Sequence, residues 1–466
     1  MAKTSTVETT KHARRRSAAA PAERRAAGKG LRGTVPRNGH AAWQASAQRA
    51  DPIGILRAAD AARQPHLVPL RYGRMLQSPF TFYRGSAGVM AADLARTPVT
   101  GIKVQLCGDC HLLNFGGFAT PERRLIFDIN DLDETLPGPW EWDVKRLVAS
   151  FVLAARANGL SDENGQEAAV ECARSYRQAM HDFAEMNVLD IWYARLDDVA
   201  VLSMLPQDRK AVLKKRLAKA TAAGSSELLF PKLTESAGRE LRIHDNPPTV
   251  FHVEAPHAAG DMDMIKHVLA QYRETLEEDR RVLFDRYRLV DAAIKVVGIG
   301  SVGTLCMVLL MMSITDNPLF LQVKQASASV LEAYVGKSAF PHHGQRVVMG
   351  QRLMQPASDL FLGWATGPEN RHFYARQLRD VKLSPLVETF DAAMLVIYAT
   401  MCGWVLARAH AKAGDPWALA GYLGNSGQFE HAMGKFGVVY ADQAERDHAA
   451  LKAAVKAGTI EVELER

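Results

Sequence analysis

A chain of 466 residues with 47% hydrophobic and 8% aromatic content has the composition of an ordinary globular protein, and length for two or three packed units. Its formal charge of +6 is unevenly placed: residues 1–40 hold ten Lys/Arg against Glu8 and Glu23, so the remainder stands at −2 and leaves nucleic-acid contact to that tail alone. No apolar core of a secretory signal follows the basic start, and five cysteines fit a reducing, cytoplasmic setting without a disulfide framework.

Residues 1–40, rich in Ala, Arg and Gly, are expected to form a disordered, solvated leader. The first charged residues with a possible role in substrate choice are Arg71, Arg74 and Arg84. Arg84 sits in the aromatic segment Ser78-Pro-Phe-Thr-Phe-Tyr-Arg-Gly85. Buried there, it needs a carboxylate or phosphate partner, which is either the acidic cluster at 128–134 or a substrate.

The strand-like run Ile102-Lys-Val-Gln-Leu106 enters Cys107-Gly-Asp-Cys-His-Leu-Leu-Asn-Phe115, a segment that can be read as three chemistries. As Cys-x-x-Cys-His it spells a c-type haem attachment site, and as Cys-x-x-Cys a redox pair or half a zinc site. As Gly-Asp-x-His-x-x-Asn it spells the catalytic loop of kinase-like phosphotransferases, with Asp109 as base or acceptor-orienting group and Asn114 on Mg²⁺. The missing export signal counts against haem, and the missing second Cys/His pair counts against zinc.

The flanks favour the third reading. Arg124-Leu-Ile-Phe127 reads as a second strand of a short hairpin, and the acidic Phe127-Asp-Ile-Asn-Asp-Leu-Asp-Glu134 that follows calls for a cation. Asp128 at the strand end, with Asp131, is assigned to the metal beside Asn114. His111 and Arg84 join Asp109 as catalytic candidates. Asp143, in Pro139-Trp-Glu-Trp-Asp-Val-Lys-Arg-Leu147 at the head of an apolar helix, is placed to buttress the loop. Residues 161–187, 205–224 and 262–290 follow with helical spacing.

A nucleotide-binding set comes later in the chain. Lys295-Val-Val-Gly-Ile-Gly-Ser-Val-Gly-Thr304 puts Gly298, Gly300, Ser301 and Gly303 in a glycine-rich loop. It leads into an apolar strand, a turn at Thr315-Asp-Asn-Pro318, and Leu319-Phe-Leu-Gln-Val-Lys324. A dinucleotide-binding loop would instead open a helix, and a membrane span at 296–312 would be short and broken by three glycines. Lys324 is expected to bind phosphates, paired with Glu332 on a helix over 325–335. His342 and His343 are read as surface or packing residues. Arg379, Asp380 and Lys382 are further candidates for the acceptor side; as a catalytic loop in normal order they fail, since Pro385 stands where Asn is needed. The order is therefore inverted, as in a circularly permuted kinase. The stretch Tyr398 to His410, with its Leu-Ala-x-x-His ending, would then close on the catalytic loop in space rather than in sequence.

These motifs resemble a bacterial family catalogued as domain of unknown function 2252. The segments that carry the likeness are Arg71-Tyr-Gly-Arg-Met75, Ser78 to Gly85, Cys107 to Phe115, Phe127 to Glu134, Pro137 to Leu147, Val297 to Cys306, Gly350-Gln-Arg-Leu-Met-Gln355, Arg376 to Lys382 and Tyr440-Ala-Asp-Gln443. The resemblance covers about residues 50–450 and implies a protein-kinase-like fold without fixing a reaction.

The expected architecture is α+β and helix-rich, a permuted two-lobed kinase-like fold. Its parts are a basic tail at 1–40, a helical lobe with the catalytic and metal loops at 41–290, a β-rich nucleotide lobe at 291–365 and closing helices at 366–466. The expected function is ATP- and Mg²⁺-dependent phosphotransfer to a small hydroxyl or amine acceptor. The alternatives are a silent nucleotide-binding or scaffold protein, and an enzyme moving AMP on the same fold.

Overall fold

In the computed structural model the described residues are 20–221, 230–237, 240–252, 262–378 and 382–464. They form a helix-rich α+β structure with one principal sheet. The sheet grows from the eight-residue apolar run Leu305–Met312. Strand β10 (Cys306–Ser313) is buried at all eight positions, because both of its faces are covered. Met307, Leu309 and Met311 pack on one side with Ile265, Leu269 and Tyr272 of the helix Met262–Glu274. Val308, Leu310 and Met312 pack on the other with Ile243, Val250 and Phe320.

β9 (Tyr287–Lys295) and β11 (Pro318–Gln325) flank β10 antiparallel, and the sheet continues to β13 (His372–Gln377) and β12 (Gly363–Thr366) on one side and to the short β8 (Val250–Phe251) on the other. The sheet thus takes strands from before residue 291 and after residue 365, so those expected boundaries cut through it. The apolar segment 296–312 is the glycine turn and β10, not a span. Between β11 and β13 the expected helix at 325–335 is reduced to Glu332–Val335, and the main helix is His343–Met354.

The second core is helical. Trp140–Ala157, Asp162–Glu185, Ala392–Ala413, Pro416–Leu423 and Gln428–Lys456 share one cluster of buried residues. Side-chain carboxylates or hydroxyls cap three of these helices: Asp391 accepts from the Met394 amide at 2.8 Å, Asp415 from Ala418 at 3.0 Å and Ser161 from Asn164 at 3.3 Å. Ala392–Ala413 is long and apolar enough to cross a membrane, but it runs through this core and carries the buried Arg408 and His410. On this body lie two short ladders, β1 (Lys103–Leu106) with β4 (Leu136–Pro139), and β2 (Phe115–Ala119) with β3 (Leu125–Ile129), which set the loops between them against the main sheet.

The basic tail differs from expectation. Within its described part, Pro21–Gly30 is a helix and residues 31–41 are two short turns of 3₁₀ helix. The arginines cap the C-terminal end of Pro416–Leu423, where carbonyls lack helical partners. Arg32 donates to the carbonyls of Tyr422 (2.8 Å) and Gly421 (2.5 Å), and Arg37 to that of Leu423 (2.6 Å). Arg24 pairs with Asp415 at 3.1 Å. Composition marked this segment as solvated because such carbonyl caps carry no sequence label.

Gly28 makes the close approach possible, since a Cβ there would lie 2.0 Å from the Ala418 carbonyl oxygen, whereas Gly30 faces open space. Gly28→Val should therefore cost about 1–3 kcal/mol by overpacking. Gly30→Val should change stability far less, as read by urea denaturation of the two variants.

Candidate functional site

The Cys107–Phe115 loop leaves β1 and is held from three sides. The Asp143 carboxylate, in the first turn of the Trp140–Ala157 helix, accepts from the amides of Cys107 (2.6 Å) and Gly108 (3.0 Å). His410 lies 3.2 Å from Asp143, and Tyr176 contacts the other ring nitrogen of His410 at 2.9 Å. Tyr398 donates its hydroxyl to the carbonyls of Leu112 and Phe115. Asp143 is where the expected buttress should be, and the 398–410 helix packs on the loop although nearly 300 residues separate them in sequence. Cys107 and Cys110 are buried and their thiols are pushed up by burial, Cys107 to about 11. Among the described residues no group of three or more His, Cys, Asp or Glu is arranged to hold a metal by itself.

Asp109 lies at the crest of the loop with 22% of its side chain exposed. Arg146 donates its Nε to Asp109 at 2.7 Å and stacks on Tyr83. His111 is 4% exposed and burial pushes its imidazole down to about 3, so it sits neutral beside Asp109. Asn114 donates its amide nitrogen to the Asp109 carbonyl at 2.6 Å, which leaves its oxygen for a cation.

The two acidic candidates separate. Asp128 is fully buried and forms a two-pronged ion pair with Arg408 at 2.8 and 2.7 Å. Burial pushes its carboxyl above the usual range, and Arg408 opposes that shift. It does not line the cavity described below, so its assignment to a metal is corrected: the strand end turns it toward the core helix 392–413. Asp131, three residues on, is the carboxylate that opens into the cavity, with 36% of its side chain accessible. Burial would raise it, but Lys324, Arg376 and Lys382 hold it below the usual carboxylate range.

Lys324 at the end of β11 is 4% exposed and donates to Asp133 at 2.9 Å, with Asp131 at 3.8 Å. Burial lowers the ammonium, but these carboxylates outweigh that and hold its pKa well above the ordinary lysine value. Glu332 is not its partner. That side chain lies 4.0 Å from His343, with a buried oxygen unbonded, because the chain turns at Ser327–Ser329 before any helix can present it to the strand. The partner came instead from the 131–134 loop. Arg346 secures this loop through the carbonyls of Asp133, Thr135 and Ser327, and Glu134 accepts from the Val330 amide.

The glycine loop bends between β9 and β10 with positive φ at Gly298 (66°) and Gly303 (88°), conformations suited to glycine. Residues 63–74 anchor it: Arg63 donates to the Val302 carbonyl (2.5 Å), Gln64 to Gly303 (2.7 Å) and Arg74 to Gly298 (2.6 Å). Arg71, by contrast, is buried against Asp60 and the Gly85 carbonyl. Gly300 packs over the Arg84 carbonyl.

Between the sheet and the helical body lies a cavity of about 1210 Å³. It brings together Arg84, Asn114, Asp131, Gly298, Ser301 and Lys324. Asp109, His111, Asp128, Gly300, Gly303 and Glu332 do not line it. Lys382 and Arg74 reach it, whereas Arg379 and Asp380 lie outside the described residues. Sequence reasoning missed Arg376, Gln322 and Asn130 on its wall, although Arg376 alternates with Tyr374 on β13 as a strand's polar face should. Among the described residues its lining holds seven Lys/Arg against three carboxylates, a balance that favours an anion.

Residues 63–454 match DUF2252, described as an uncharacterized protein conserved in bacteria, and the chain belongs to that family. Neither a curated protein nor a solved structure matches it.

Arg408→Met should cost about 3–5 kcal/mol in chemical denaturation, because it strands the Asp128 carboxylate in the core. Asp131→Asn should cost no more than about 1 kcal/mol, because Lys324 keeps its bond to Asp133.

Proposed function

We propose that this protein is an ATP- and Mg²⁺-dependent phosphotransferase with a circularly permuted kinase-like arrangement, acting on a small hydroxyl or amine acceptor. The observation that carries this reading is the convergence in one cavity of Asn114 and Asp131 from the first half of the chain with Gly298, Ser301 and Lys324 from the second. The order within residues 287–377 supports it: strand, glycine loop, strand, tight turn, strand with Lys324 next to its last residue, two helices, two strands. The packing of the 392–413 helix on the 107–115 loop supplies the join that a permuted order requires.

Phosphoryl transfer asks a protein chiefly for positioning and charge neutralisation. The glycine-loop amides and Lys324 would hold the phosphates, with Arg376 adding charge from β13. Asp131 and the Asn114 amide oxygen are hard oxygen donors and fit Mg²⁺, which when bound would neutralise phosphate charge. Asp109, outside the cavity lining but 22% exposed and aligned by Arg146, would take the proton of the acceptor hydroxyl as that hydroxyl's oxygen bonds the γ-phosphorus, with ADP leaving. A silent nucleotide-binding protein is the second reading, favoured by one observation: the Asp109 carboxylate is already engaged by Arg146.

Thermal shift with MgATP, paired with an ATP-consumption screen over hydroxyl and amine metabolites, tests both readings. Wild type at a hundredfold excess over Kd should gain about 2.7 kcal/mol. Asp131→Asn should lose that gain, and Asp109→Asn should keep it while losing turnover. No nucleotide effect in wild type contradicts both readings, and binding with no turnover on any metabolite pool favours the silent protein.

A further inference from the structure

We infer that Arg84 is the recognition point for an anionic group on the second substrate, so that the acceptor is a phosphate- or carboxylate-bearing small molecule; this rests on the phosphotransferase reading above. Arg84 stands apart from the other interior arginines. Arg71, Arg146, Arg346, Arg376 and Arg408 each donate to a carboxylate or carbonyl. Arg84 makes no hydrogen bond or ion pair among the described residues, and its Nε is buried without a partner.

No carboxylate of the acidic cluster hydrogen-bonds or pairs with it among the described residues. Asp128 is taken by Arg408, Asp131 and Asp133 by Lys324, and Glu134 by the Val330 amide. Burial pushes the Arg84 guanidinium below its ordinary pKa; Asp109 offsets this in part and the neighbouring Arg74 adds to it. A guanidinium in such a place lacks the anion that its two-pronged donor geometry suits.

Location assigns that anion to the acceptor rather than the nucleotide. The nucleotide phosphates would have the glycine loop and Lys324, whereas Arg84 belongs to the helix Pro79–Gly85 of the helical body and is stabilised in its charged form by the Asp109 carboxylate. An acceptor hydroxyl within reach of Asp109 brings its own substituents to Arg84. Capacity and charge agree. At about 1210 Å³ the cavity exceeds the roughly 300–1,000 Å³ common for one ligand. Among the described residues the lining carries four more Lys/Arg than carboxylates, of which a Mg-bound triphosphate would offset about half.

Isothermal titration with inorganic phosphate, and separately with succinate, tests this on the full chain with and without saturating MgADP. Wild type should bind one or both anions with MgADP present, and the stronger of the two identifies the acceptor's charged group. Arg84→Gln should weaken that binding at least tenfold while MgADP affinity stays within twofold. Arg84→Lys, which keeps the charge but not the fork, should weaken it at least threefold and serves if the Gln variant does not fold. Unchanged anion affinity in these variants would overturn the inference, as would loss of MgADP affinity or exclusion of both anions by MgADP. Wild type that binds phosphate through Arg84 but not MgADP would retire the phosphotransferase reading and, with it, the acceptor assignment.

Discussion

A buried ammonium joins the two halves of this chain. Lys324 ends a strand of the main sheet, and the carboxylates that hold it, Asp131 and Asp133, belong to a loop of the helical body 191 residues away. An ammonium removed from water is costly unless paired and hydrogen-bonded, so sheet and helical body must meet here. Tyr374 and Arg376 on the neighbouring strand add contacts to Asp133 and the Asn130 carbonyl, and Arg346 fastens the same loop through three carbonyls. The cavity is the space left where this junction closes on one side only.

The junction also divides two kinds of acidic residue that the sequence presents as one cluster. Asp128 is structural: with Arg408 it forms an ion pair sealed from solvent, and that pair fixes the strand β3 to the core helix Ala392–Ala413. Asp131 is exposed to the cavity and surrounded by cations, a setting that keeps a carboxylate charged and free to meet a metal or a phosphate-bound ion. Position explains the difference. Asp128 lies within β3, where residues 126–129 are all buried, whereas Asp131 lies past the strand's end and lines the cavity.

Much of the sheet and the helical core was legible because apolar periodicity reports burial directly. Strands 306–313 and 318–325 and helix 162–185 fall where their patterns place them. Charge partners were not legible, because they are set by tertiary approach. Glu332 was the first acidic residue after Lys324 in sequence, yet the short Glu332–Val335 turn leaves it beside His343. Arg408 offered a clue, being the one arginine in the apolar stretch Tyr398–His410, since an arginine on a buried helix requires a carboxylate somewhere. The arginines of residues 20–41 offered none, because carbonyl capping of another helix leaves no pattern in the capping sequence.

The account's central claim is that nucleotide phosphates and their metal lie between the glycine loop, Lys324 and Asp131. A crystal structure with a non-hydrolysable ATP analogue and Mn²⁺ tests it most directly, since the anomalous signal of manganese locates the ion independently of the side chains. The account predicts manganese bound by Asp131 and Asn114, with the phosphates beside Lys324. Manganese at Asp128, or a nucleotide bound away from this cavity, would contradict it.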